Sequence, residues 1–280
     1  MIVFRTKRWT EQPPVGAQIN WGHPLTVGLL GLFLLDEQGG LPQPFISSSF
    51  GPSTPGGTPT WKVNEGGSCR AYSATSDYDQ SVNQVQLPND RATVAMIRRK
   101  TDTTLRAASH FGTAGSGNRL QCHCPYSDGV VYWDHGGDSG ASLNRLSWSG
   151  YTVSTVVERW VFTAGPSGMG IYLKGSLVAS SGTAITAASL GIDSLIINQW
   201  DAVNPGDLAE VSFLGWWDAQ WTPTMVAQWY AEPYALLLSQ NPRIRYFFPS
   251  IAVEAEGTAL WSGRKAIYRG GQRGVGRGIL

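Results

Sequence analysis

The stretch CPYSDGVVYWDHGGDSGA, residues 124–141, contains Gly137-Asp138-Ser139-Gly140, a context in which a serine can act as a nucleophile. His110, in RAASHFG, is the nearest candidate base. Nucleophilic catalysis needs a serine, an imidazole and a carboxylate that the fold brings together. Ser139 and His110 lie 29 residues apart, too short a connection for partners carried by separate barrels. Gly-Gly followed by Asp-Ser-Gly is also good turn chemistry after a strand. The reading is a β-turn, and no hydrolase activity is expected.

Glycoside hydrolysis needs two carboxylates, one as acid and one as nucleophile or base. The acidic clusters are Asp77/Asp79, Asp134/Asp138 and Asp201/Asp207. In a turn-rich chain they are expected to be solvated. Their oxygens make Ca²⁺ a possible rim ligand, although no loop carries the dense alternating acids of a dedicated site. Cys122 and Cys124 flank His123, so on a strand both thiols point one way and the imidazole the other. That spacing, without a second cysteine pair, points to buried thiols rather than zinc. Three cysteines in all exclude a disulfide framework. Twelve tryptophans raise sugar stacking, with Trp133, Trp148, Trp200 and Trp216 as the candidate glycan contacts.

Charge is distributed unevenly. Arg5, Lys7 and Arg8 stand in the first ten residues with no acid, and Arg264, Lys265, Arg269, Arg273 and Arg277 in the last twenty, again with none. Between them lie 13 basic against 20 acidic residues. An acidic body with basic ends suits arms that dock on another surface. The glycine-rich tail has the look of a nucleic-acid segment. Its apolar anchors, Trp261, Ile267, Tyr268, Val275, Ile279 and Leu280, fit an assembly arm better, so nucleic acid is not an expected partner.

These residues need elements to hold them. Charged residues are 15% of the chain, with 34 glycines and 16 prolines, a composition that points to an all-β globule. The N-terminus shows no apolar signal core. The longest apolar run, Leu25 to Leu35, is too short to span a bilayer and reads as a buried strand; no membrane contact is expected. In RATVAMIRRK, Ala92, Val94 and Met96 oppose Thr93, Ala95 and Ile97. GVVYWDHGG, STVVERWVFTAG and DSLIINQW read as further strands. GMGIYLKGSLVASSG reads as a hairpin turning at Lys174-Gly175, with Met169, Ile171 and Leu173 on one face. In LAEVSFLGWWD, Ala209, Val211, Phe213, Gly215 and Trp217 are expected on one face. One helix is expected after Thr222 as N-cap and Pro223 at its first position, with Met225, Val226, Trp229 and Tyr230 packing on the sheet.

ERWVFTAGPSGMGIYLKGSLVASSG resembles the central strand and hairpin of laminin-G-like, concanavalin A-like jelly rolls, with Lys174 where asparagine is usual. LAEVSFLGWWDAQWTPTMVAQWYAEP resembles the strand and helix that follow, and GLLGLFLLDEQGG the opening strand. CPYSDGVVYWDHGG, INWGHPLTVGLLG and NPRIRYFFP are similar to segments of phage-encoded members. The resemblance spans roughly residues 16–250. It implies a two-sheet jelly-roll sandwich with one short C-terminal helix, flanked by extended basic arms. The division is an N-terminal arm over 1–24, a sandwich over 25–240 and a C-terminal extension over 241–280. Jelly-roll glucanases carry a Glu-x-Asp-x-x-Glu string, which is absent here. The expected role is a phage virion structural protein that decorates or stabilises a capsid. Its partners would be other copies of itself and other virion proteins. The alternative is a tail or fibre adhesin for host glycans.

Overall fold

A computed structural model describes residues 10–238, apart from 14–15, 44, 46–52, 82–84, 87, 89, 114–117, 138–142, 186–191, 194 and 200–204. The chain divides into two compact units, 1–241 and 242–280, and the second lies outside the described residues.

The described strands are β1 (Gln18–Ile19), β2 (Leu29–Phe33), β3 (Ser53–Gly56), β4 (Thr60–Asn64), β5 (Gly67–Tyr72), β6 (Tyr78–Ser81), β7 (Val85–Gln86) and β8 (Ala92–Lys100). They continue as β9 (Gly112–Thr113), β10 (Asn118–His123), β11 (Val131–Gly137), β12 (Leu143–Trp148), β13 (Glu158–Gly165), β14 (Gly168–Leu173) and β15 (Ser176–Ser181). β16 (Ile192–Asp193), β17 (Leu195–Ile197) and β18 (Ala209–Trp217) precede the helix α1 (Pro223–Ala231), and β19 (Leu237–Leu238) follows it.

An all-β jelly-roll sandwich results. The back sheet runs β15-β14-β13-β8-β18-β5-β4, and β2 takes the far part of β18 beyond β5. The front layer is β12-β11-β10 and β3-β6-β17-β9. A bridge from Phe111 to Cys122 joins these two pieces. Between the layers lies a core of Trp133, Trp160, Phe162, Trp216 and Phe111. A second core covers the other face of the back sheet, where Phe213 and Trp217 meet Trp221, Trp229 and Tyr234 around α1. The central strands are therefore buried on both faces and read as nearly continuous apolar runs.

This arrangement sorts the expected alternations. Ala92, Val94 and Met96 face the core between the sheets, and Ala95 and Ile97 the second core. In β18 the expected single face breaks. Val211 faces the inner core while Phe213 and Trp217 face the outer one. The cause is a register shift between Val211 and Phe213, an extra residue that reverses the side-chain phase. Gly31 lies against Trp216, whose ring atoms would stand 2.0 Å from any Cβ there.

The hairpin turns at Lys174-Gly175, with φ of 53° and 80°, as a two-residue loop with both central residues left-handed requires. α1 begins at Pro223 with the Thr222 hydroxyl accepting from the Met225 amide at 3.3 Å. Val226 and Trp229 are buried and Met225 half-buried, but Tyr230 points outward under the Arg159 guanidinium. One residue beyond Trp229 is a 100° rotation, which takes Tyr230 off the buried stripe. Thr222→Ala is expected to cost about 1 kcal/mol of unfolding free energy through the lost cap. Urea denaturation of both proteins checks this.

Within the stretch expected as an N-terminal arm, the described part carries body contacts. The Gln12 amide donates to the Leu34 carbonyl at 2.7 Å and accepts from the Ser68 amide at 2.6 Å. β1 pairs antiparallel with β19, which brings the two ends of the sandwich together. The run from Leu25 to Leu35 gives a short 3₁₀ turn at Pro24–Thr26 and then β2. No described helix is long and apolar enough to cross a membrane.

Candidate functional site

The outer face of β10-β11-β12 carries the richest exposed chemistry. Inward residues fill the core: Leu120, Cys122 and Cys124 from the β10 segment, Val131 and Trp133 from β11, and Leu146 from β12. The alternate positions therefore face out. Register aligns them in rows: His123 beside Tyr132 and Ser147, and Gln121 beside Asp134 and Arg145. The turn after β10 adds Tyr126 and Asp128. Arg119, His123, Tyr126, Asp128, Tyr132 and Arg145 line a cavity of about 320 Å³.

Each wall group is fixed by a neighbour. Arg145 grips the buried Asp134 carboxylate with Nε and Nη2, both at 2.6 Å, and lies 4.8 Å above the Tyr132 ring. Arg119 approaches the same carboxylate at 3.7 Å. The Tyr132 hydroxyl donates to Asp128 at 2.7 Å, whose other oxygen accepts from the Val130 amide at 2.9 Å. The Tyr126 and Tyr132 rings meet edge to face at 6.0 Å, and His123 makes a similar contact with Tyr126 at 5.1 Å. The His123 imidazole lies 2.9 Å from the Ala108 carbonyl, which fixes Nδ1 as the protonated nitrogen. Burial lowers its pKa, so the ring is neutral near pH 7. The hydrogen bond to Asp128 raises the Tyr132 phenol, and the bond to Asp134 raises Arg145. The result is a preorganised polar cavity with two aromatic faces, a form suited to binding.

A second polar group is sealed inside the sandwich. The even residues of β8 continue past Met96 as Arg98 and Lys100, both 1% exposed. Asp207 is their hub. It pairs with the Lys100 ammonium, with Arg106 at 3.2 Å, with His110 Nε2 at 3.2 Å and with Arg98 at 3.8 Å. His110 Nε2 also meets the Arg98 guanidinium at 2.7 Å. Glu158 stands opposite Arg98 in register and accepts from the Tyr151 hydroxyl at 2.8 Å. Burial first, and then the Arg98 charge, push His110 down to about 3. Burial alone would raise Asp207. The His110 hydrogen bond and the Lys100 and Arg98 charges outweigh it and hold the carboxyl well below the ordinary range.

The residues singled out in the sequence fall as follows. His110 belongs to this closed cluster, committed to Arg98 and Asp207, and is no surface base. Asp138, Ser139, Asp201 and Trp200 lie outside the described residues, as do the basic arms with Arg5, Lys7, Arg8, Arg264, Lys265, Tyr268, Arg269, Arg273 and Arg277. Trp133 and Trp216, expected as sugar contacts, are fully buried in the core. The Trp133 indole donates to the Thr163 carbonyl at 3.0 Å. Trp148 is half-buried against Tyr151 and Trp160. Asp77, Asp79, Asp134 and Asp207 are buried rather than solvated, held by backbone amides or by cations. Cys122 and Cys124 do face the core, with His123 opposite. Among the described residues no three metal-ligating side chains converge. No local signal marks the cavity residues: the alternation that buries Trp133 turns Tyr132 to the outer face, with Asp134 buried on that face beneath Arg145.

No protein-family model matches the chain, and no curated protein does. Among solved structures, the chain is similar to domain 4 of AbnA, a GH43 extracellular arabinanase from Geobacillus stearothermophilus in complex with arabinotriose. The TM-score is 0.57 at 13% identity, over 72% of this chain and 98% of that one. It is also similar to the binding domain of botulinum neurotoxin DC in complex with SialylT, with a TM-score of 0.54 at 8% identity. That match covers 72% of this chain and 51% of the toxin domain, so the chain spans about half of the toxin fragment. A third is the same toxin's binding domain with rat synaptotagmin II, at a TM-score of 0.51 and 9% identity. These likenesses establish the β-sandwich jelly-roll fold.

Proposed function

We propose that the chain is a glycan-binding jelly-roll domain, not a hydrolase, with its site on the outer face of β10-β11-β12. One observation carries this reading. Tyrosine rings, guanidinium groups and a carboxylate converge on one open cavity, each already locked by a neighbouring group. Sugars are recognised by that combination, an aromatic face for the ring and fixed polar groups for the hydroxyls. The saccharides in the complexes of two structural neighbours agree with it. A phage tail or fibre adhesin is the form of this reading that also employs the basic ends of the sequence, as anchors to other virion proteins. Capsid decoration rests on those ends and on the resemblance to phage-encoded segments, and uses nothing of the cavity.

Glycan-array binding of the full chain tests the proposal. Tyr126→Ala removes a half-buried ring at the cavity wall and is expected to weaken binding tenfold or more, about 1.4 kcal/mol, with the fold intact. Binding unchanged by that substitution moves the site elsewhere, and retention of no saccharide ends the reading.

A further inference from the structure

We infer a second binding site, for an uncharged saccharide, on the outer face of the back sheet, the side of the sandwich away from the β10-β11-β12 cavity. A cavity of about 310 Å³ opens there between β13, β14 and β15 and the turn that leads into α1. Register builds its floor. Thr163, Gly170 and Ser180 stand abreast on the three strands. Their neighbours Phe162, Ala164 and Ile171 fill the core between the sheets, so this row faces out. A Cβ on Gly170 would stand 2.9 Å from both the Thr163 hydroxyl and the Tyr172 ring, so the glycine keeps the floor open. A Cβ on Gly182, at the rim, would meet nothing within 4 Å.

The lining indicates the ligand. Among the described residues that form the cavity there is no Asp, Glu, Lys, Arg or His. An ion would leave water there without gaining a counter-charge, so the site suits an uncharged molecule. The walls also hold hydroxyls with nothing to bond. Thr163 is 2% exposed and Tyr172 7%, and neither side-chain oxygen has a hydrogen-bond partner among the described residues. Buried polar groups are ordinarily paired, and a ligand hydroxyl would supply the missing bond. Gln220 is fixed beside them: its amide donates to the Gly168 carbonyl at 2.8 Å and accepts from the Ser167 amide at 3.1 Å. One N–H and one lone pair of that side chain remain for a ligand. Leu177, 51% exposed, supplies an apolar wall with Trp221, whose ring is held by Trp217 at 4.4 Å. Apolar walls beside unpaired hydroxyls and a fixed amide match the C–H faces and hydroxyls of a neutral sugar. The volume is near the lower end of the roughly 300–1,000 Å³ of small-molecule pockets, which suits a mono- or disaccharide.

The test titrates Tyr126→Ala, in which the front cavity has lost a wall, with the methyl glycosides of glucose, galactose and mannose, each beside its uronic acid. Ligand-observed NMR gives the affinities. A neutral glycoside is expected to bind, about tenfold more tightly than its acid and equally well up to about 0.5 M salt. Tyr172→Phe deletes an unpaired hydroxyl, and Ser180→Phe fills the floor from an exposed position. Each, added to Tyr126→Ala, should weaken binding about tenfold. The urea midpoint should not fall in Tyr172→Phe, because the lost hydroxyl holds nothing in the domain; a fall would assign that hydroxyl to the fold and overturn its role here. Acids bound as tightly as their neutral partners, binding that both substitutions leave intact, or no neutral glycoside bound by Tyr126→Ala also overturns the inference. The last result, with glycans still bound by the wild-type chain, leaves the front-cavity reading standing. Binding lost in Tyr172→Phe and untouched by Tyr126→Ala supports this site and removes the front one.

Discussion

Replacing Asp207 by alanine lowers the unfolding free energy of the domain by about 3–5 kcal/mol, the usual cost of orphaning a buried charge. Asp207 is the one carboxylate that Arg98, Lys100, Arg106 and His110 share. Without it Lys100 keeps the Thr104 carbonyl at 3.0 Å, and Arg98 keeps Glu158 only at 4.0 Å. Neither side chain can reach water, since both are 1% exposed at the centre of a close-packed sandwich. Burial already lowers the Lys100 pKa, and the lost counter-ion would lower it further. The loss is large because the charge stays behind, not because the pair itself is strong. Lys100→Met combined with Asp207→Leu should therefore recover the share that Lys100 contributes, while Arg98 still keeps only Glu158 at 4.0 Å, since apolar residues of similar volume often replace a buried ion pair at little cost. Urea denaturation at pH 7.5 measures both. A loss under about 1 kcal/mol for Asp207→Ala would mean that water enters the cluster.

That cluster was the least legible part of the chain, for a physical reason. In RATVAMIRRK the apolar alternation stops at Ile97, and three cations look like a solvated end. The strand instead continues its two-residue period, so Arg98 and Lys100 turn inward with Val94 and Met96 while Arg99 turns outward to Glu65 and Glu210. What makes this tolerable is the arrival of Asp207, 107 residues later, and of Glu158 from the neighbouring strand. No local window contains them. The extra residue near Ser212 was hidden in the same way, because Glu210 and Ser212 alternate with Val211 and Phe213 straight through the bulge, as they would in an unbroken strand. Local signals survived better. Lys174-Gly175 and Thr222-Pro223 state their conformations in two residues each, as a left-handed pair and a helix start. The candidate site lies between these cases. Its strands were legible, but which of Tyr132 and Trp133 faces out depends on the layer that covers the sheet.

Acid should unfold this domain well above the pH at which its carboxylates titrate. His110 and His135 are both buried and neutral, pushed by desolvation from 6.5 to about 3 and about 4. Arg98 and Lys100 press the same way on His110, while Asp207 opposes them. At His135 the Asp90 charge opposes burial. A base whose folded pKa is depressed binds its proton first in the unfolded chain. The stability it permits is complete above about pH 6.5 and drains as pH falls toward the folded value. At pH 4.5 each histidine has lost about 2 units of that window, so together they remove about 5 kcal/mol, a large share of a typical 5–15 kcal/mol. Asp207 acts in the same direction at lower pH. Its folded pKa is depressed, so its contribution is present above about 4 and lost below. Urea midpoints followed from pH 7.5 to pH 4.5 should fall steeply below about 6.5, with the slope set by the protons taken up on unfolding. His135→Phe removes one of these titrations, to which His123 and His23, also lowered by burial, add in the same direction, and should flatten the decline measurably, whatever it does to stability at pH 7.5. A midpoint that stays level down to pH 4.5 would show that both rings accept protons in the folded sandwich, and that its interior admits water.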